Sequence, residues 1–492
     1  MNTKLITLLA FIGMLSSCQF KSRDVGDSDG GFDEKYRPQY HFTPPGQWMN
    51  DPNGMVYYEG EYHLFYQHYP DSNVWGPMHW GHAVSTNMIN WEHLPIALYP
   101  DSLGYIFSGS AVIDWKNSSG LGSEENPPMV AIFTYHDPIG EKKGNIDFQT
   151  QGIAFSLDKG RTWTKYENNP VLSNPGIRDF RDPKVSWFEE FNKWIMILAV
   201  KDHVEIYSSD DLIKWQKESE FGQNIGAHGG VWECPDLFQL TDNKGVKRWV
   251  MLVSINPGGP QGGSATQYFI GGFNGKSFTP EDSLTRWIDY GADNYAGVTW
   301  SNVPENDGRR LFLGWMSNWQ YSQVVPTYKW RSAMTLPREL TLKNGRLYSY
   351  PVLEFNAKIE VGENLTQDKY VLEDITFGLS MDVETVQPFE LTFNSSSDDV
   401  LKVGFNGEQF YLDRTNAGID SFHPDFAAIH FAPKTMSDRL KVELFVDTSS
   451  IEIFINGGEI VITDLIFPIS PYNELTLSGV KPQDTKYFRI KL

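Results

Sequence analysis

One polar turn recurs along the first two-thirds of this chain, and it limits the folds open to it. Ser85-Thr86-Asn87-Met88-Ile89-Asn90-Trp91 resembles Ser156-Leu157-Asp158-Lys159-Gly160-Arg161-Thr162-Trp163, and Ser208-Ser209-Asp210-Asp211-Leu212-Ile213-Lys214-Trp215 resembles both. Each copy carries a Ser and an Asp or Asn and ends on a Trp. Short apolar or alternating runs at 55–58, 62–66, 130–134, 194–200 and 249–255 lie among these turns, and helical periodicity is scarce. The reading is all-β. A hairpin repeated every ~50–70 residues suggests propeller blades, although the uneven spacing also fits a sandwich of long strands.

Near Tyr350-Pro351 the texture changes. Val442, Leu444 and Val446 alternate with other residues, Asp447-Thr448-Ser449-Ser450 turns the chain, and Ile451, Ile453 and Ile455 alternate again before Asn456-Gly457-Gly458. This reads as a separate antiparallel β-sandwich. It shows no aromatic platform, so its expected role is to brace the first domain.

The first residues form another unit. A Lys at position 4, an apolar run over 5–15 and then Ser16-Ser17-Cys18 have the form of a secretory signal, too short for a membrane span. Leu15-Ser16-Ser17-Cys18 also resembles a bacterial lipobox, which implies a lipid on Cys18 and anchoring to a bacterial membrane. The Gly/Asp/Ser-rich stretch that follows reads as a flexible tether. The expected organisation is a signal peptide over 1–17, lipidated Cys and tether over 18–35, a propeller over 36–347, a linker over 348–357 and a sandwich over 358–492.

Composition narrows the partners. With 62 acidic and 41 basic residues, the net charge is -21, a field that repels nucleic acid and anionic membranes. Membrane contact is therefore expected only through the N-terminal lipid. Sixteen Trp suit strands, and they also suit the apolar faces of sugar rings. Nothing in the sequence speaks to oligomeric state.

Three acids share a local grammar. Asp51 precedes Pro52, Asp182 precedes Pro183, and Glu233 lies two residues before Pro235. Proline restricts the residue before it and offers no N–H, so such acids tend to sit at strand ends or turns with a fixed direction. Asp137-Pro138 has the same grammar, so the pattern alone does not select a site. Surroundings add to it. An acid among aromatic and apolar groups, like Glu233 after Trp232, suits a general acid with a raised pKa. An acid beside an arginine, like Asp182 after Arg181, is expected to stay ionised.

These motifs resemble glycoside hydrolase family 32, the invertase, inulinase and levanase family. The resemblance rests on Trp48-Met49-Asn50-Asp51-Pro52-Asn53-Gly54, Phe65-Tyr66-Gln67, Trp75 with Trp80-Gly81-His82-Ala83, Phe107-Ser108-Gly109-Ser110, Arg181-Asp182-Pro183 and Glu233-Cys234-Pro235-Asp236. It continues through Gly314-Trp315-Met316-Ser317-Asn318-Trp319, Leu336-Pro337-Arg338-Glu339 and the stretch 446–454, and so covers everything after the tether. One departure is His68-Tyr69-Pro70, where the family commonly has an Asn before the Pro. The resemblance implies a five-bladed propeller followed by a sandwich, with no cofactor and no metal. It also implies roles: Asp51 as nucleophile, Glu233 as acid and base, Asp182 as transition-state stabiliser, and retention of configuration. Trp48, Asn50, Gln67, Trp75, Phe107, Ser108, Arg181 and Trp315 match positions that bind the terminal fructose. Cys234 is expected to tune Glu233.

His63, His68, His79 and His82 cluster in sequence, but their spacing fits no familiar metal motif. The expected activity is release of fructose from the ends of levan or inulin, with sucrose as a further substrate. Ile270-Gly271-Gly272-Phe273-Asn274-Gly275-Lys276-Ser277-Phe278 and the Gly-rich 257–264 resemble exo-levanase and exo-inulinase members. The rivals are an endo-levanase, a fructosyl transferase and a fructan-binding surface protein on an inactive scaffold. All three acids are present, which argues against the last.

Overall fold

The computed structural model describes residues 34–383, 387–435, 437 and 439–491. The leader and Cys18 lie outside the described residues. Among the described residues, no helix is long and apolar enough to cross a membrane.

Five antiparallel sheets form the propeller. Their innermost strands are Gln47–Tyr58, Tyr105–Ile113, Phe180–Phe188, Val231–Thr241 and Tyr295–Thr299, and each sheet runs outward from there. We number these blades I to V. The inner strands touch in order, and that of blade V meets that of blade I, which closes the ring. Blade I gains a further strand from late in the chain, Trp330–Arg331, which pairs in parallel with Gln47 and Trp48.

The period of two in the sequence becomes the packing between blades. In Lys193–Val200, Trp194, Met196 and Leu198 face Val112, Val130 and Ile132 of blade II. Ile195 and Ile197 face Trp232, Met251 and Phe269 of blade IV. A blade is thus apolar on both faces, which explains why its central strands read as continuous apolar runs. Each fully buried aliphatic or aromatic side chain contributes about 1.5–3 kcal/mol.

The recurring turn joins the third and fourth strands of blades I, II and III. Ser85 donates to Asn87 (3.1 Å), Ser156 to Asp158 (2.7 Å) and Ser209 to Asp211 (3.1 Å). In each turn that Asn or Asp accepts backbone N–H groups: Ile89 and Asn90, Thr162, and Ile213 and Lys214. Met88, Lys159 and Leu212 take positive φ there, and Gly275 does so at the matching place in blade IV.

Residues 348–357, expected as a linker, hold the end of blade V's outer strand Arg346–Pro351 and the start of a 3-10 turn, Leu353–Lys358. The C-terminal domain is two six-stranded antiparallel sheets with an apolar core between them, including Phe393, Leu401, Ile453 and Ile462.

Buried charges join sandwich to propeller. Arg338 of blade V donates to Asp289 (3.0 Å) and to Glu452 of the sandwich (2.7 Å). His41 lies between Asp447 (2.8 Å) and Glu452 (2.9 Å), and Arg414 of the sandwich reaches Asp293 (2.8 Å). The Leu336–Glu339 and 446–454 motifs of the sequence therefore meet at this junction.

Candidate active site

Each of the five inner strands carries an extra residue against its neighbour near the axis, and that of blade I carries a second between Asn53 and Val56. The register slips between Met49 and Pro52, Ile106 and Gly109, Glu233 and Asp236, Tyr295 and Val298, and where Lys184 and Arg181 face Ile197 and Ala199. A bulge leaves a residue out of the ladder and turns its side chain. Proline tolerates such a place because it has no N–H to lose, which accounts for Pro52, Pro183 and Pro235. Asp182, Cys234 and Ala296 take φ of 64°, 44° and 53° at these bulges. Left-handed backbone at non-glycine residues costs about 1–3 kcal/mol each, and it concentrates at functional sites. Asp137-Pro138 has a different fate: Asp137 caps the short helix Pro138–Lys142.

The bulges converge on a cavity of about 250 Å³. Asn50, Asp51, Gln67, Trp75, Phe107, Ser108, Arg181, Asp182 and Glu233 all line it. Asp51 accepts from Ser108 Oγ (2.6 Å) and Asn50 Nδ2 (3.0 Å). Burial raises its pKa, the Glu233 charge adds to this, and those two hydrogen bonds oppose it. Gln67 spends an amide hydrogen on the Ile106 carbonyl (3.0 Å).

Glu233 is held at both oxygens. Arg181 Nη2 donates to one (2.7 Å), and the Tyr295 hydroxyl contacts the other. A phenol can donate to a carboxylate or accept from a carboxylic acid, so Tyr295 can hold Glu233 in either protonation state. Burial raises the Tyr295 pKa well above its ordinary value, and Glu233 adds to the effect, so the phenol keeps its proton.

Asp182 departs from expectation. Its neighbour Arg181 aims at Glu233 and Asp179 (2.7 Å each), and only its Nε approaches Asp182, at 3.9 Å. Burial outweighs that attraction and, with the Glu233 and Asp51 charges, brings the Asp182 pKa up to about 7. The backbone fixes this residue: its N–H donates to Thr134 Oγ1 (2.9 Å), and its Oδ2 accepts from Cys234 N (3.1 Å).

Cys234 also departs from expectation. Its Sγ faces Asp51 (3.6 Å) and Asp182 (3.8 Å), where it was expected to act on Glu233. The thiol is free and buried, and burial raises its pKa well above the ordinary value.

Trp48 and Trp315 do not line the cavity. Both are fully buried one layer behind it. Trp48 stacks on Trp319 at 5.8 Å, and Trp315 lies 4.9 Å from the same ring. Trp319 is the ring that faces the cavity. Trp48 acts through Asn50, donating Nε1–H to its Oδ1 (2.7 Å). Trp319 and Trp315 belong to one motif, and only the turn after the strand Arg310–Met316 decides which of them faces inward.

The sequence reading also missed His136, Glu141, Phe148, Gln149 and Asp179 on the cavity wall. Asp179, two residues before Arg181, was the one with a signal, as an acid within reach of a site arginine. His136 stacks on Phe107 at 4.3 Å and 6° and pairs with Glu141 (3.1 Å). The four clustered histidines engage other partners: His63 and His82 each other (3.1 Å), His68 the Trp48 carbonyl (2.7 Å) and His79 the Pro77 carbonyl (2.9 Å).

Family models for the glycosyl hydrolases family 32 N-terminal domain and C-terminal domain match residues 41–351 and 346–491. A levanase from Bacillus subtilis (strain 168) is 48% identical over 494 residues, covering 95% of this chain and 71% of that protein. The crystal structure of an exo-inulinase from Aspergillus awamori superposes with a TM-score of 0.85 at 36% identity, covering 93% of this chain and 99% of that one. A β-fructofuranosidase from Schwanniomyces occidentalis, solved with fructosyl-erythritol, gives 0.82 at 34%, covering 93% and 98%.

Proposed function

The chain belongs to glycosyl hydrolase family 32, and from that premise we propose how it works as a β-fructofuranosidase on fructans. It is a hydrolase of β-fructofuranosyl bonds, with sucrose as a further substrate. The observation that carries the reading is the meeting of three carboxylates, Asp182 buried and Asp51 and Glu233 half-buried, from blades I, III and IV around one small cavity.

Asp51 is the nucleophile. Its oxygen bonds to the anomeric carbon as the glycosidic C–O bond breaks, and the proton of Glu233 passes to the leaving oxygen. Glu233, now a carboxylate, takes a proton from water. That water attacks the anomeric carbon and releases Asp51, so configuration is retained. Asp182 holds fructose hydroxyls and balances the oxocarbenium-like charge. Ser108 and Asn50 fix the direction of Asp51, while Arg181 and Tyr295 fix Glu233.

The attack is at chain ends. A small cavity walled by Trp75, Phe107 and Trp319 suits a terminal residue, whereas attack within a polymer needs an open cleft. In the same reading residues 36–351 are the catalytic propeller and 358–492 the sandwich. The chain is exported by its first 17 residues and anchored through lipid on Cys18. Labelled fatty acid should enter the wild-type chain and not Cys18→Ala.

A product time course on levan and inulin tests the main proposal. Fructose alone is expected from the start. A ladder of oligosaccharides would overturn the end-on attack, and unchanged turnover by Asp51→Asn would overturn the assignment of roles.

A further inference from the structure

Below the catalytic cavity the axis of the propeller is closed. Buried Lys184 donates to the Thr299 carbonyl and lies 3.3 Å from Asp236 Oδ2. That oxygen also accepts from Thr299 N (2.7 Å) and Oγ1 (2.8 Å). Beyond this knot the far ends of the inner strands of blades II, III and IV, with the segment that follows blade V's inner strand, line a second cavity, of about 660 Å³, larger than the first.

Its chemistry selects a ligand class. Trp115 stands at its wall 54% exposed, backed by Tyr58 at 5.6 Å. An indole held from behind and open in front is a surface for the apolar face of a sugar ring. Trp187 is a second ring of the lining. Deeper in, Ser301 is only 8% exposed, and its Oγ has no hydrogen-bond partner; Arg310 Nε is likewise buried and unpartnered. Both residues belong to the lining, with these two atoms just behind its surface. Two cations at the rim are paired: Lys116 with Glu189 (3.3 Å), and Arg309 with Asp307 (2.6 Å) and Glu354 (2.8 Å). Glu190, Glu305 and Lys247 also line the cavity, and the net charge of -21 repels polyanions.

We propose that this opposite mouth of the propeller is a non-catalytic carbohydrate site, and that it holds a neutral fructan segment while another chain end enters the catalytic cavity. The sugar class rests on the proposed function; the site itself rests on the exposed indole and the cavity it borders. Two separate sites on one protein would raise its effective affinity for a branched or long polymer above that of either alone.

The test uses the full chain carrying Asp51→Asn, titrated calorimetrically with inulin and with levan oligosaccharides. Two binding events per chain are expected with at least one of the two. Adding Trp115→Ala should weaken one event about threefold to tenfold and leave the other unchanged, with Trp115→Phe in between. In the catalytically intact chain, Trp115→Ala should keep its kcat on sucrose and its thermal midpoint, and lose retention on immobilised levan. A single binding event with both sugars, or two events indifferent to Trp115→Ala, would overturn the site. Failure of the wild-type chain to hydrolyse any fructan would instead overturn the proposed function, which the calorimetry does not measure.

Discussion

At the base of the funnel, burial leaves Asp51 and Asp182 with raised pKa values, Asp182 at about 7, because few cations face them. At the junction of propeller and sandwich, Glu452 and Asp464 are fully buried, yet their pKa values are lowered. Burial there is outweighed for Glu452 by Arg338 and His41, and for Asp464 by His430 and Arg414. Asp293, in the same junction, stays raised, because burial and the Asp464 charge outweigh Arg414. The same residue type in the same low dielectric thus serves two purposes. Satisfied acids hold domains together. Under-satisfied acids store free energy that a substrate can release.

Activity gives the largest test of this contrast. Asp51→Asn should lower kcat on fructans by about 10⁴-fold or more, with unchanged circular dichroism and thermal midpoint. Loss of the fold in this variant would place Asp51 with the structural acids.

The junction should behave in the opposite manner. Arg338→Ala strands Asp289 without its cation and leaves Glu452 with His41 alone, and breaking one partner of a buried pair costs about 3–5 kcal/mol. Denaturant melts should show that loss, while the folded fraction keeps its KM for sucrose. A change below about 1 kcal/mol would mean that the pair is dispensable.

Asp182→Asn sharpens the comparison further. A neutral amide removes a charge that the site holds at a cost, so stability at pH 8 should rise by about 1 kcal/mol as activity falls. Glu452→Gln should lower stability under the same conditions. Equal signs in the two variants would remove the distinction between the clusters.

The last test is a pH dependence. His41 is raised to about 9: burial lowers it, and the hydrogen bonds to Asp447 and Glu452 more than reverse this. A folded pKa above the ordinary 6.5 means stability fully present below pH 6.5 and lost as pH rises through about 9. His63, His68 and His93 are lowered to about 4, chiefly by burial, so their contribution is present above pH 6.5 and fades toward pH 4. Thermal midpoints against pH should fall at both ends. His41→Gln should flatten the alkaline arm and leave the acid arm as it was.

How far the sequence foretold this can be seen at single residues. The recurring Ser/Asp/Trp turn was readable because its hydrogen bonds are local, two to four residues apart. Asp51-Pro52 and Asp182-Pro183 were readable as fixed points, and they prove to be bulges. A bulge also breaks the period of two, and that is where direction was lost. Arg181 turned toward Glu233 from a neighbouring blade, and Cys234 turned toward Asp51 and Asp182. Neither can be inferred from spacing within one strand. Trp48 and Trp315 carried the right motif but stand behind Trp319 and Asn50, because aromatic rings that stack in layers look alike in a sequence. Leu336–Glu339 matched the family pattern, and its arginine serves the domain junction rather than the sugar.

The parallel clasp of Trp330–Arg331 on Gln47–Trp48 has a consequence in time. The strand bearing Asp51 is among the first parts of the propeller to be made, and its last neighbour is among the final ones. A growing chain therefore owns its nucleophile long before it owns an active site. Blades can form in order as they emerge, but the ring stays open on its first edge until the fifth is in hand. Catalysis begins only when the circle is shut, so an incomplete product is inert by its topology.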